Sequence, residues 1–213
     1  MADAGSAITP LEATLSCPRC WFSAAPMIPY GALTFRCARC EWPFTLAAPP
    51  LSAAPAFPAT TVAVANPYAT PIAAAIAANG ATITNVSVSG STAGTTAGTY
   101  LVPVGGSISA AYTVATPTWT WALPVISAGV SAGGTALTFA PTGTNAAFAL
   151  GQVLIVDPSG TSDVVVVNGA PTATSVPVNS LNSAHLTGVS VTVAALTPAL
   201  AGAGLENVPA TAY

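Results

Sequence analysis

The four cysteines of this chain form two Cys-x-x-Cys pairs within one short module. Cys17 and Cys20 make the first pair, and Cys37 and Cys40 make the second, with residues 21–36 between them. Each turn can place two thiolates on one side of a tight loop, and two such turns can complete a tetrahedral shell of sulfurs. Because that shell leaves no open coordination position, the pattern predicts one structural Zn²⁺ bound by Cys17, Cys20, Cys37 and Cys40.

The basic residues are concentrated in the same module. Arg19, Arg36 and Arg39 account for the whole Lys+Arg count of 3. Four thiolates outweigh the charge of a divalent cation, so the predicted metal site carries net negative charge. We expect the three arginines to compensate that charge. A module this small buries little apolar surface, so metal binding would supply its folding free energy.

Two other roles for the cysteines follow from the same pattern. The first 16 residues contain no basic stretch followed by an apolar one, so we expect no secretory signal and a reducing compartment. Two disulfides are the alternative that an oxidising compartment would favour. A redox role for a single Cys-x-x-Cys turn does not require the matching second pair.

The composition argues against two classes of protein. Charged residues make up 4% of the chain and the net charge is −3, whereas a globular domain has about 25% charged residues. No basic surface is available for phosphates, so nucleic-acid binding is not expected. Hydrophobic residues reach 52%, but no uninterrupted apolar run has the roughly 20 residues that a spanning helix needs, so we expect no membrane segment.

Short strand-like runs separated by Gly, Asn and Pro turns fill the chain after residue 59. In "PTWTWALP", Trp119 and Trp121 fall on one face of a strand, where they are candidate interface residues. The "TPIAAAIAANG" segment suits either an alanine-rich helix or a strand that enters a hairpin at Asn79-Gly80. "DPSG" at residues 157–160 predicts a hairpin between two strands.

These patterns predict a mainly β protein in which a small zinc ribbon precedes two small antiparallel β-sandwich or barrel units with extended terminal arms. A unit of about 65 residues is marginally stable alone, which favours packing against neighbours. The predicted segments are an N-terminal arm (1–16), the zinc ribbon (17–45), a Pro/Ala linker (46–59), a β-sandwich domain (60–124), a second small β domain (125–195) and a C-terminal arm (196–213).

Three further patterns resemble sites, and we interpret each as structural. "GVSAG" has the Gly-x-Ser-x-Gly form, and Ser131, Asp157 or Asp163, and His185 follow the chain order of an α/β-hydrolase triad. No helix pattern follows Ser131, so we expect a turn and no catalysis. His185 is expected to be a loop histidine that bonds a nearby backbone group. "DPSGTSD" lacks the ligand spacing of a calcium loop.

Two parts of the chain resemble virion proteins of tailed bacteriophages, especially those of actinobacteria. "NPYATPIAAAIAANGATITNVSVSG" and "TYLVPVGGSISAAYTVATPTWTW" are similar to β-sandwich modules of such particles. "FALGQVLIVDPSGTSDVVVVNGAPTATSVPVNSLNSAHLTGVSVTV" is similar to a small β module of head and tail accessory proteins. That module ends in spaced Leu, His, Gly and Val residues, here Leu181, His185, Gly188 and Val191. This chain departs from it at Asp163, where the module carries glutamate.

The resemblance implies a non-enzymatic virion protein that assembles in the host cytoplasm. The implied role is a capsid decoration or cement protein bound to the shell of major capsid protein. The alternative is a tail, connector or fibre component, and a carbohydrate-binding module or enzyme is a third possibility. Low charge and marginal units predict a homo-oligomer. A trimer is favoured because capsid docking sites have three-fold symmetry.

Overall fold

The computed structural model describes residues 15–16, 23–24, 34–36, 39–41, 43–47 and 51–198. In this described part the chain is mainly β, contains no helix, and therefore has no helix that could span a bilayer. The strands are β1 (Leu15–Ser16), β2 (Ser23–Ala24), β3 (Thr34–Arg36), β4 (Pro43–Ala47), β5 (Val64–Ala65), β6 (Ile72–Ala77), β7 (Thr82–Val88), β8 (Ser91–Gly94), β9 (Gly98–Val102), β10 (Ser107–Thr113), β11 (Thr118–Ala122), β12 (Ala136–Thr138), β13 (Val153–Val156), β14 (Asp163–Val166), β15 (Ser175–Pro177), β16 (Val191–Val193) and β17 (Ala195–Pro198).

Strands β5 to β11 form two antiparallel sheets whose inner faces share one core, and we call this unit the sandwich. One sheet has the order β5-β10-β7-β8 and the other has the order β11-β6-β9. Alternation of side chains makes this core: in β11, Trp119 and Trp121 are buried while Thr118, Thr120 and Ala122 are exposed. The core residues are Ile72, Ala74, Ile76, Val86, Val88, Ala93, Tyr100, Val102, Ile108, Ala110, Trp119 and Trp121.

The Asn79-Gly80 turn differs from the predicted hairpin in what it connects. Both residues are left-handed, with φ of 47° and 83°, and Ala81 N donates to Ala78 O at 2.8 Å. The turn was therefore predicted correctly, and the preceding segment is a strand and not a helix. However, β6 pairs with β9 and β11, so this turn carries the chain from one sheet to the other. The local hairpin is instead β7–β8, closed at Ser89-Gly90.

The second unit consists of small antiparallel sheets around its own core. Strands β12 and β15 pair with each other, and a three-stranded sheet has the order β14-β13-β16. The predicted hairpin at residues 157–160 is confirmed, because β13 pairs with β14 across this turn. Every residue of β13 and β14 is buried. The core contains Leu101, Ile126, Leu137, Phe139, Ala147, Phe148, Leu154, Val156, Val165, Val167, Val176, Val178, Leu181 and Val191.

The two β units are joined by shared packing. Leu101 belongs to β9 of the sandwich, yet its side chain lies in the core of the second unit. Thr70 Oγ1 accepts hydrogen bonds of 2.9 Å from Thr192 Oγ1 and from Val193 N. Asn145 Nδ2 donates to Leu101 O at 2.7 Å. The two units were expected to be separately marginal, but the sandwich supplies Leu101 to the core of the second unit and hydrogen bonds join the two.

The chain segments outside the two units also take part in β pairing or packing. Residues 195–198 form β17, which pairs with β4, so the predicted C-terminal arm begins as an edge strand beside the cysteine module. Leu51, Ala54 and Phe57, within the predicted linker, pack against the sandwich core. Residues 1–14 and 199–213, which make up most of the predicted arms, lie outside the described residues.

Gly98, at the start of β9, lies where the two units meet, and its replacement provides a stability test. It has φ of 150°, and an added Cβ would lie 2.7 Å from Thr142 Cβ. Thr142 cannot move freely because its Oγ1 accepts from Thr99 N at 3.1 Å. We expect Gly98→Ala to lower the free energy of unfolding by about 2–4 kcal/mol, through strain and overpacking together.

Gly105→Ala is the matched control for this measurement by urea unfolding. Gly105 has φ of 68°, and nothing lies within 4 Å of an added Cβ. It should therefore show backbone strain alone, about 1–2 kcal/mol. Equal losses in the two variants would contradict a tight contact between Gly98 and Thr142.

Candidate functional site

The second Cys-x-x-Cys pair lies at the end of an antiparallel hairpin. Strands β3 and β4 pair in a register that sets Arg36 opposite Pro43, so Cys37 and Cys40 belong to the connection between them. Arg39 and Cys40 form a turn, in which Arg39 is exposed and Cys40 is half-buried, and Glu41 follows with φ of 56°. The described backbone therefore places Arg39 and Cys40 in a turn between β3 and β4.

The first pair has the same relation to its flanking strands. β1 pairs with β2, with Ser16 opposite Ser23, so Cys17 and Cys20 fall between two paired strands. The predicted ligands Cys17, Cys20 and Cys37 and the predicted charge-compensating Arg19 lie outside the described residues, and only the backbone of Arg36 is described. The described residues alone contain no cluster of three or more metal-ligating side chains. The zinc site stays a prediction supported by the two hairpins that bracket its ligands.

A buried carboxylate and a buried histidine form a second polar cluster, in the second unit. Asp163 is 1% exposed and His185 is 4% exposed. Asp163 Oδ2 lies 2.9 Å from His185 Nε2 and accepts from Asn182 N at 3.1 Å and from Ser183 N at 2.8 Å. The carboxylate thus holds the 182–185 loop against the start of β14. The expectation that His185 bonds a backbone group through its ring was wrong, because its partner is a carboxylate.

The arrangement does not assemble the serine hydrolase pattern. Val130 and His185 form an antiparallel bridge, and Ser131 is the next residue in the chain after Val130. However, Nε2 of His185 is bonded to Asp163, and Nδ1 is buried without a hydrogen-bond partner. Ser131 is exposed, and none of its hydrogen bonds in the described region reaches the imidazole. A general base needs a ring nitrogen within reach of the nucleophile, and this ring offers none.

The spaced residues that end the second unit all act in its framework. Leu181 and Val191 are buried in its core. His185 bonds Asp163, and Gly188 adopts φ of 89°, a conformation that favours glycine. The spacing of Leu181, His185, Gly188 and Val191 is thereby explained by packing, a polar link and a turn.

The candidate interface residues Trp119 and Trp121 are covered by their own chain. They are 8% and 9% exposed. Phe57 lies 4.6 Å from Trp119 between ring centroids, and Tyr68 packs edge-on against Trp121 at 6.4 Å. Trp119 Nε1 donates to Pro55 O at 2.8 Å. The two indole rings therefore hold residues 51–58 against the sandwich. The side chains that β11 exposes to solvent are those of Thr118, Thr120 and Ala122.

A small pocket opens where the two units meet. Its volume is about 150 Å³, and its lining includes Ala73, Leu101, Val125, Phe139 and Pro141. The pocket contains no charged group, so it offers no acid, base or metal ligand for catalysis. No protein-family model, curated protein or solved structure matches this chain.

Proposed function

We propose that this protein is a non-enzymatic structural component of a bacteriophage particle, in the form of a capsid decoration protein on the shell of major capsid protein. The proposal starts from the resemblance of residues 66–90, 99–121 and 148–193 to phage virion modules. The observation that carries it is the framework role of Leu181, His185, Gly188 and Val191. In this proposal these four residues maintain a β unit, as a structural virion module requires.

The cysteine module, in this proposal, is a zinc ribbon at the N-terminal side of the particle protein. Cys17, Cys20, Cys37 and Cys40 would hold the metal, and the paired strands β1–β2 and β3–β4 support that assignment by bracketing them. Bound Zn²⁺ would supply folding free energy and no chemistry, since four thiolates close its coordination shell. Pairing of β17 with β4 would then connect the ribbon to the C-terminal end of the second unit.

The surface supports an assembled protein over a freely diffusing one. No Asp, Glu, Lys, Arg or His occurs between Glu41 and Asp157, which covers the whole sandwich. Low charge gives little protection against association. Several large hydrophobic side chains are also exposed, namely Val62, Val104, Val114, Val125, Leu150 and Leu186. We propose that neighbouring copies and the capsid lattice cover part of this surface.

The test is to locate and count this protein in purified particles. Quantitative mass spectrometry against the major capsid protein, with immunogold labelling, should place it on the head in a fixed ratio to capsid lattice positions. The matched comparison is a known tail protein from the same particles. A far lower copy number, with label at the tail only, would favour the tail, connector or fibre alternative. Absence from purified particles would contradict any structural role in the virion.

A further inference from the structure

Most sheet edges in the region from β5 to β16 are covered by other parts of the chain. Edge strands expose rows of N–H and C=O groups, and proteins usually cover or charge them. The edge of β9 is covered because Thr142 N donates to Thr99 O at 2.7 Å. Other edges are covered by one hydrogen bond or more each. The bonds, donor first, are Thr144 N to Ala93 O at β8, Ser127 N to Thr138 O at β12, Val166 N to Asn179 Oδ1 at β14, Asn168 N to Pro177 O at β15 and Val191 N to Pro124 O at β16.

Strand β11 is the exception among the edges of three or more residues in this region. Its backbone pairs with β6 on one side. On the other side, no residue described in the structure makes a backbone hydrogen bond to Thr118–Ala122. The strand has no bulge, no proline and no charge, which are the usual devices against edge pairing. Its outer-face side chains, Thr118, Thr120 and Ala122, are exposed.

We propose that β11 pairs antiparallel with β11 of a second copy of this chain. Such pairing would join the two β11-β6-β9 sheets into one continuous six-stranded sheet about a two-fold axis. An identical partner is favoured because the sandwich carries no charge that could repel its own copy or attract an oppositely charged one. The other described edges of three or more residues between β5 and β16 carry covering hydrogen bonds, so this region offers no second open edge for a head-to-tail ring. The pairing is therefore isologous.

The side chains around β11 fit this symmetry. With Thr120 opposite its own copy, the two hydroxyl-bearing side chains form a cross-strand Thr–Thr pair, which is favourable in sheets. Val114 and Val125 flank Thr120 at nearly equal distances along the chain and are 89% and 48% exposed. Antiparallel pairing brings each Val114 towards the second copy's Val125. Two exposed valines on each chain would thereby become covered.

This inference replaces the expected trimer with a two-fold dimer. It does not require the phage assignment. The variant that tests it is Thr120→Lys, which sets two ammonium groups against each other at the axis. Because Thr120 is exposed, the monomer should fold normally. Like-charge juxtaposition should weaken the dimer by about 100-fold or more. Sedimentation equilibrium of the full zinc-loaded chain at micromolar concentrations measures this change.

Thr92→Lys is the matched control, since Thr92 is an exposed threonine on edge strand β8. That variant should keep the dissociation constant of the natural chain. Hydrogen exchange gives a second readout: the amides within Thr118–Ala122 that point away from β6 should be protected in the natural chain and in Thr92→Lys, but exchange faster in Thr120→Lys. A natural chain that is monomeric or trimeric, or a Thr120→Lys dimer of unchanged affinity, would overturn the proposal. These outcomes are read on isolated protein, so they are independent of its location in particles.

Discussion

Replacing Asp163 by alanine is expected to lower the free energy of unfolding by about 3–5 kcal/mol. The loss follows from the three donors that converge on Asp163 Oδ2: His185 Nε2, Asn182 N and Ser183 N. All three donors lie in the 182–185 loop. Asp163 itself is only 1% exposed, so water cannot replace its carboxylate without opening the structure. An unsatisfied buried donor costs about 1–3 kcal/mol, and here several would be left at once. Urea unfolding followed by circular dichroism measures the change.

Asp157→Asn is the control for this substitution. Asp157 lies in the β13–β14 turn at φ of 55°, a conformation that asparagine tolerates, and it is not buried. Its replacement should change stability by no more than about 0.5 kcal/mol. His185→Ala should destabilise as well, and the double variant with Asp163→Ala should lose less than the sum of the two single losses. Additive losses would show that the two side chains do not act as a pair.

Local patterns predicted the strands and turns, because side-chain alternation and turn residues act within a few positions. Alternation in "TWTWA" placed Trp119 and Trp121 on one face, and both are buried on that face. "DPSG" gave the β13–β14 hairpin. The Asn79-Gly80 pair predicted the turn that ends β6, and both residues adopt left-handed conformations there. In each case the sequence contains the whole physical cause.

Long-range pairing could not be read from the same patterns. The partner of β6 is selected by which strands complete a core, so the turn after it does not determine whether β7 pairs with it. Asp163 and His185 meet because the fold returns the 182–185 loop to the start of β14. A carboxylate and a histidine that far apart in sequence have no local signal. Leu101 serves the core of the second unit for the same reason, since it lies on the outer face of a sandwich strand.

Removing the predicted metal is expected to unfold the cysteine module and leave the two β units folded. For small zinc modules, about 10–16 kcal/mol of apparent binding free energy is folding free energy. Among the described residues, the buried cores of both units begin at Ile72, and Leu51 is the earliest residue packed against them, so we expect the units to stay folded. Cys40→Ser should therefore abolish stoichiometric zinc. The urea transition of the β units should change by less than about 1 kcal/mol.

Elemental analysis of purified protein should give about one zinc per natural chain and far less in Cys40→Ser. Hydrogen exchange then locates the effect: protection should fall in β3, β4 and β17, because β4 pairs with both other strands. Strands β13 and β14 are the internal reference and should keep their protection. If natural protein contains no zinc and no free thiols, the four cysteines form disulfides instead. Reductant, not a chelator, would then be the reagent that opens the module, because a disulfide is broken by thiol exchange and is indifferent to metal removal.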